Sequence, residues 1–184
     1  MNDISDILLI SGSLRDGSSN SALLRTAATM MPDGFRAATY DGMADLPHFN
    51  PDDDREPLPQ AVVDLRTRIE KSAALLICTP EYAGALPGSF KNLLDWTVGG
   101  IEIGDKPTAW INVSGNLTKA ANAHASLRLV LNYTGAGIVE DACVHLPVSP
   151  GMIDDQGIIT DADVRAGISQ SLAHLTALVG QPAT

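Results

Sequence analysis

Three short, mainly apolar runs, Ile7 to Ser11, Ala74 to Thr79 and Thr108 to Val113, each give way to a polar loop and then to apolar residues at helical spacing. Runs this brief, bounded by glycine, proline and serine, suit strands buried on both faces, as a parallel sheet requires. The helical stripes between them are Leu23, Ala27 and Met31, stopped by Pro32-Asp33-Gly34; Val62, Leu65, Ile69 and Ala73; Phe90, Leu93, Leu94 and Val98; and the segment Ala120 to Tyr133. Phe35 to Tyr40 supplies a second strand and Gly137 to Leu146 a broken one. Asp41 to Pro59, with prolines at 47, 51, 57 and 59, reads as a surface loop. Thr160 and Asp163 form a capping box for a last helix whose inner face is Val164, Ile168, Leu172, Leu175 and Val179. Alternating strands and helices predict an α/β fold: a three-layer sandwich around about five parallel strands.

Right-handed crossovers collect the loops that follow the strands at one sheet edge, where ligands of such folds bind. The loops at 12–20, 80–88 and 114–119 are therefore expected to converge. The chain fits one domain, spanning residues 1–184, and its 45% hydrophobic content is ample for a core.

Twelve Lys and Arg stand against 22 Asp and Glu, a formal charge of −10, which opposes nucleic acid and anionic membranes as partners. An anionic ligand must be held by local geometry. Cys78 and Cys143 have no CxxC spacing and read as packed thiols in a reducing compartment. The start, Met1-Asn2-Asp3-Ile4-Ser5-Asp6, lacks the basic and apolar segments of a secretory signal, and a cytoplasmic location is expected. His48, His124, His145 and His174 have no metal-ligand spacing, so no metal site is assigned.

In the first loop, Ser13, Ser18, Ser19 and Asn20 offer hydroxyl and amide groups, Arg15 a guanidinium, and the following helix its N-terminal amides. This constellation suits a phosphate; a plain helix cap with Arg15 in solvent is the competing reading. The dinucleotide pattern GxGxxG is absent because Leu14 occupies its second glycine. Gly12 and Gly17 have Walker spacing, but Ser18 stands where lysine is required. A single terminal phosphate monoester remains. In the second loop, Pro80, Glu81, Tyr82, Ala83 and Gly84 can flank a planar heteroaromatic ring with backbone amides and the tyrosine, or simply pack as a tight connection. Ser114 and Gly115 open the third loop, which either closes over the same ligand or makes an ordinary turn. No pair of carboxylates, no GxSxG elbow and no reactive thiolate is apparent, so no catalytic acid, base or nucleophile is assigned.

The segments Gly12-Ser13-Leu14-Arg15-Asp16-Gly17-Ser18-Ser19-Asn20 and Pro80-Glu81-Tyr82-Ala83-Gly84-Ala85-Leu86-Pro87-Gly88-Ser89-Phe90-Lys91-Asn92-Leu93-Leu94-Asp95-Trp96 resemble the GSLRxxSxN and PEYNxxxPxxxKNxIDW patterns of the NADPH-dependent FMN reductase family, flavodoxin-like quinone and azo-compound reductases included. The resemblance implies a flavodoxin-like sheet of order 2-1-3-4-5. It also implies FMN as cofactor, with its phosphate at Ser13, Arg15, Ser18 and Asn20 and its ring against Pro80 to Gly84. NADPH or NADH is the implied electron donor. Hydride then passes by a ping-pong route from nicotinamide to flavin and on to a small-molecule acceptor: flavin, quinone, azo dye or metal ion. A homodimer, or a homotetramer built from it, is the implied assembly. A flavodoxin-like electron carrier or redox sensor without nicotinamide oxidation is the alternative, and a flavin-free interaction scaffold a more distant one. Two departures stand out: Ala83 replaces the family's asparagine, and the third loop reads Ser-Gly-Asn-Leu-Thr-Lys instead of a glycine-rich sequence.

Overall fold

The computed structural model describes residues 4–116 and 118–179; Leu117 in the third loop and the segments 1–3 and 180–184, including the acidic Met1-Asn2-Asp3 start, lie outside the described residues. The strands β1 (Ser5–Ser11), β2 (Phe35–Tyr40), β3 (Ala74–Cys78) and β4 (Pro107–Asn112) alternate with helices α1 (Ser19–Ala28), α2 (Gln60–Lys71), α3 (Gly88–Asp95) and α4 (Ala121–Tyr133). Two short strands, β5 (Gly137–Ile138) and β6 (Val144–His145), and a helix, α5 (Ala162–Ala177), complete the order. All pairings within the sheet are parallel, in the order β2-β1-β3-β4-β5, with β6 also on β4. The fold is flavodoxin-like.

The sheet differs from the expected five strands at its far edge. β5 pairs with Pro107 and Thr108, β6 with Ile111 and Asn112, and a 3-10 turn at Glu140–Ala142 separates them. One edge position is thus filled by two strand pieces, which is the structural form of the broken run read from sequence.

Strand alternation divides the core. Leu8, Ile10, Leu75, Ile77 and Trp110 face α2, α3 and α4, whereas Ile7, Leu9, Leu76, Cys78 and Ile111 face α1 and α5. Burial of each large aliphatic side chain contributes about 1.5–3 kcal/mol. The expected stripes are buried at Leu23, Ala27, Val62, Leu65, Ile69, Phe90, Leu93, Leu94, Val164, Ile168, Leu172 and Leu175.

Several boundaries differ from expectation. α3 ends at Asp95 with Trp96 as its C-cap, so Val98 lies past the helix and is 64% exposed. α2 ends at Lys71, leaving Ala73 outside it. The cap of α5 is Asp161, whose carboxylate accepts the Val164 N–H at 3.0 Å, rather than Thr160. Thr160 is held by its own N–H and hydroxyl to the carbonyl of Met152, which shifts the helix start by one residue.

The proline-rich stretch 41–59 is better ordered than its composition implies. It contains 3-10 turns at Gly42–Asp45 and Pro51–Asp53. Trp96 Nε1 and Asn92 Nδ2 both donate to Pro47 O, at 2.8 and 2.9 Å, and Asn92 Oδ1 accepts Phe49 N–H at 2.8 Å. Phe49 meets the Trp96 ring edge-on at 5.0 Å. Buried Arg66 bridges Asp54 at 2.7 Å and donates twice to Trp96 O. The Lys91-Asn92…Asp95-Trp96 motif is thus explained: Asn92 and Trp96 staple the long loop, and Lys91 pairs with Asp95 across one turn at 2.5 Å.

Candidate functional site

Gly12 follows β1 and donates its N–H to Cys78 O at 2.9 Å. A Cβ there would collide with the Thr79 side chain and come within 3.1 Å of the Phe90 ring, so only glycine lets the first loop lie this close to the second. Ser13 N–H donates to Ser11 Oγ, and Ser13 Oγ accepts Arg15 N–H, both at 3.2 Å. Ser18 is the N-cap of α1: its Oγ accepts Ser21 N–H at 3.1 Å and shares a hydrogen bond with Ser21 Oγ at 2.9 Å. The loop is therefore ordered by its own hydroxyls. The N–H groups of Ser19 and Asn20, in the first helical turn, have no acceptor within the helix. Asn20 is buried, and its Oδ1 accepts the Cys78 thiol proton at 3.2 Å. That bond orients the side chain and leaves the amide nitrogen as its ligand donor.

In the second loop, Tyr82 and Ala85 exchange N–H···O bonds at 3.0 and 3.1 Å around Ala83 and Gly84, whose φ angles are 51° and 75°. Two consecutive positive φ angles define a tight hairpin turn, for which Asn-Gly is the preferred pair. The family's asparagine at position 83 is accounted for by this backbone, and alanine there carries left-handed strain of about 1–2 kcal/mol. Ala83→Gly and Ala83→Asn are each expected to stabilise the protein by about 0.5–1 kcal/mol, read as a higher urea midpoint at unchanged m-value. A fall in the midpoint for both would show that the turn is not strained.

The third loop is closed by its side chains. Asn112 Oδ1 accepts Ser114 N–H at 2.9 Å, Ser114 Oγ donates to Lys119 O at 2.7 Å, and Asn116 Oδ1 accepts Lys119 N–H at 2.9 Å. His145 Nε2 donates to Ser114 O at 2.7 Å. The residue before α4, Ala120, has φ 62° and supplies no side-chain cap. The missing acceptor comes from the second loop: Glu81 Oε2 accepts Ala123 N–H at 3.0 Å. A carboxylate at a helix N-terminus also meets a favourable dipole. Glu81 thus fixes the spacing between the second and third loops.

Next to this junction His124 is buried, its Nδ1 donating to Ala120 O at 2.7 Å and its Nε2 lacking a partner among the described residues. Burial lowers its pKa below the ordinary value; nearby His145 acts in the same direction, while the Ala120 bond and Glu81 act against it. The unfolded chain binds this proton more readily, so stability is fully present above the ordinary imidazole pKa of about 6.5 and falls below it. The urea midpoint is expected to drop between pH 7.5 and pH 5.5, and His124→Phe to flatten that drop.

The three loops enclose one cavity of about 410 Å³ at the carboxyl edge of the sheet. It is lined by Ser13, Arg15, Ser18, Ser19 and Asn20 from the first loop, Pro80, Glu81 and Tyr82 from the second, and Ser114 and Gly115 from the third. Ala83 and Gly84 are not among the lining residues; they form the exposed hairpin tip beside it. Thr79, Asn112, Val113, Lys119, Ala120 and Val148 complete the wall. Val148 was not visible from sequence because it arrives from a chain segment far beyond the loop motifs. One end of the cavity is rich in hydroxyls, helix amides and a guanidinium, and the other is bounded by Pro80, half-exposed Tyr82 and Val113. This is the division that a phosphorylated ring system requires, and FMN fits it.

A flavodoxin-like sheet with such a site at its carboxyl edge defines a flavin-binding class of α/β protein. The sequence profile of the NADPH-dependent FMN reductase family matches residues 5–150, and the chain belongs to that family. It is 33% identical to an NAD(P)H-dependent FMN reductase of Pseudomonas aeruginosa over 177 residues, covering 95% of each chain. It is 32% identical to a 2-hydroxy-1,4-benzoquinone reductase of a Burkholderia species, covering 86% of this chain and 87% of the relative. Its structure resembles FerB, a flavoenzyme NAD(P)H:(acceptor) oxidoreductase of Paracoccus denitrificans, with a TM-score of 0.81 and 26% identity over 95% of this chain and 98% of that one. The protein is an oxidoreductase that uses FMN with NAD(P)H as electron donor.

Proposed function

We propose that the protein holds FMN across the three loops and reduces a quinone, within a wider acceptor class of free flavins, azo compounds and metal ions. The observation that carries this reading is the single cavity joining all three loops, with Arg15 at its polar end. Arg15, the hydroxyls of Ser13, Ser18 and Ser19, the Asn20 amide and the first-turn N–H groups of α1 bind the phosphate. Pro80, Glu81 and Tyr82 position the ring, with Ala83 and Gly84 setting the turn that presents them. Ser114 and Gly115 close the opposite wall. When bound, FMN supplies the hydride chemistry, between reduced nicotinamide and acceptor. The chain contributes orientation and backbone dipoles, and no side chain is assigned as a catalytic acid or base. The names of the Burkholderia and other quinone-reducing relatives support the acceptor class.

The test is direct. Purified protein loaded with FMN is expected to lose its visible flavin band anaerobically on addition of NADPH or NADH and to regain it with a benzoquinone. Flavin binding without bleaching by either donor would instead leave an electron carrier. Failure to bind FMN would remove both readings.

We further propose a homodimer, from which a homotetramer can be built, located in the cytoplasm. Supporting the assembly, Leu129 and Tyr133 project from α4 with 58% and 86% exposure, and Val98 and Ile101, at 64% and 91%, project from the 97–104 turn. That turn abuts the end of α4 through the Asp105 N–H bond to Gly135 O at 2.7 Å. An exposed apolar surface of this kind marks an interaction face. Ile101→Glu combined with Tyr133→Glu is expected to lower the mass seen by light scattering to that of a monomer, with an unchanged circular dichroism spectrum. An unchanged mass would place the interface elsewhere. Two free thiols support the compartment.

A further inference from the structure

A second cavity, of about 240 Å³, lies outside the flavin site between the end of β2, the 3-10 turn Gly42–Asp45 and one side of α2. Its lining residues are Tyr40, Asp41, Gly42, Asp45, Ala61, Asp64 and Arg68. Tyr40 is only 6% exposed, yet its hydroxyl has no hydrogen-bond partner among the described residues. A buried polar atom in this state is uncommon in native proteins and calls for an explanation. The hydroxyl edge lies over Gly42: a Cβ at that position would come within 3.1 Å of Oη and 3.2 Å of Cζ. Glycine at this position lets the backbone of the cavity wall lie close against the phenol.

The charges around it are unbalanced. Three carboxylates face one guanidinium, and that guanidinium is partly committed: Arg68 Nη1 donates to Thr39 O at 3.1 Å and Nη2 lies 3.9 Å from Asp41. Asp64 keeps one oxygen beyond its 2.9 Å bond from Gln60, and Asp45 makes no side-chain hydrogen bond among the described residues. Burial pushes the Tyr40 pKa up to about 12, and Asp45, Asp41 and Asp64 push it the same way against Arg68. The phenol accordingly stays neutral, with lone pairs to offer. The cavity is a set of acceptors awaiting N–H donors.

We propose that this cavity binds a small aliphatic amine through its ammonium group, with Tyr40 Oη, Asp45 and Asp64 as acceptors. Among the described residues no three acidic, histidine or cysteine side chains converge to hold a metal ion. An organic cation fits better, because three N–H bonds from an ammonium reach spread acceptors without a tight coordination sphere. The overall charge of −10 draws such a ligand from solution. The inference is independent of the flavin chemistry, since none of its residues lines the flavin cavity.

The test is calorimetric titration of the FMN-loaded full chain with putrescine at constant ionic strength, beside D-ribose as a neutral hydroxyl-bearing probe. Putrescine is expected to bind and ribose not to bind. Asp45→Asn is expected to weaken putrescine about tenfold, as the loss of a charge-assisted hydrogen bond implies, and Tyr40→Phe about fivefold, as the loss of a neutral one implies. Both variants keep the fold, because one residue is exposed and the other loses only an unpartnered hydroxyl. Absence of putrescine binding would overturn the proposal. So would equal binding by wild type and both variants, or binding of ribose in place of the amine.

Discussion

Arg15→Ala is expected to raise the dissociation constant for FMN by about 10- to 100-fold while changing that for riboflavin by less than about threefold, because a charge-assisted hydrogen bond contributes about 1.5–3 kcal/mol and only FMN carries the phosphate. The other groups proposed to hold the phosphate, hydroxyls and helix amides, are neutral, and the protein as a whole repels an anion. Arg15 is the guanidinium on the cavity wall; Lys119, the other cation there, belongs to the third loop. Flavin fluorescence titration separates the two ligands cleanly. Equal losses for FMN and riboflavin would show that Arg15 does not hold the phosphate, and would return the first loop to the role of a helix cap.

Glu81→Ala is the second large effect. Removing the carboxylate leaves Ala123 N–H without its acceptor and the start of α4 without a cap, at a cost of about 0.5–2 kcal/mol. For a chain of this length each kcal/mol lowers the melting temperature by about 2–4 °C. FMN affinity should fall with it, since the second and third loops lose their shared anchor. Glu81→Gln keeps an acceptor and is expected to recover most of the stability and affinity, losing only the charge–dipole contribution of about 0.3–1 kcal/mol. Faster hydrogen exchange at the Ala123 amide in Glu81→Ala alone would locate the effect at the cap. Wild-type exchange in that variant would rule the anchor out.

Much of this molecule is written locally. The alternation of parallel strands with helices follows from short apolar runs separated by helical stripes, whereas the strand order is what the family resemblance implies. The first two loops are legible because glycine, proline and arginine impose local geometry that any reader of the chain can reconstruct. The role of Glu81 is not legible, because its partner is a backbone N–H 42 residues on, and every residue but proline carries one. The same holds for the 41–59 stretch: prolines and aspartates read as a loose loop until Arg66, Asn92 and Trp96 supply distant partners for its carbonyls and for Asp54. Helix ends fail for a third reason. Val98 continues the apolar spacing of α3, but the turn after Trp96 sends it outward, and apolar spacing alone cannot say when a stripe ceases to face the core.

The bond from the Cys78 thiol to Asn20 has a chemical consequence beyond positioning. Quinones, the acceptors proposed above, are electrophiles that arylate thiolates, and a reductase that took them up would expose its own sulfurs to them. Burial drives the Cys78 pKa far upward and raises that of partly buried Cys143 to about 11. At neutral pH burial therefore keeps both sulfurs as thiols. The fold thus keeps both sulfurs in the form that quinones attack least, one of them within a hydrogen bond of the cofactor loop, and so builds a catalyst with little to lose from repeated contact with a reactive acceptor.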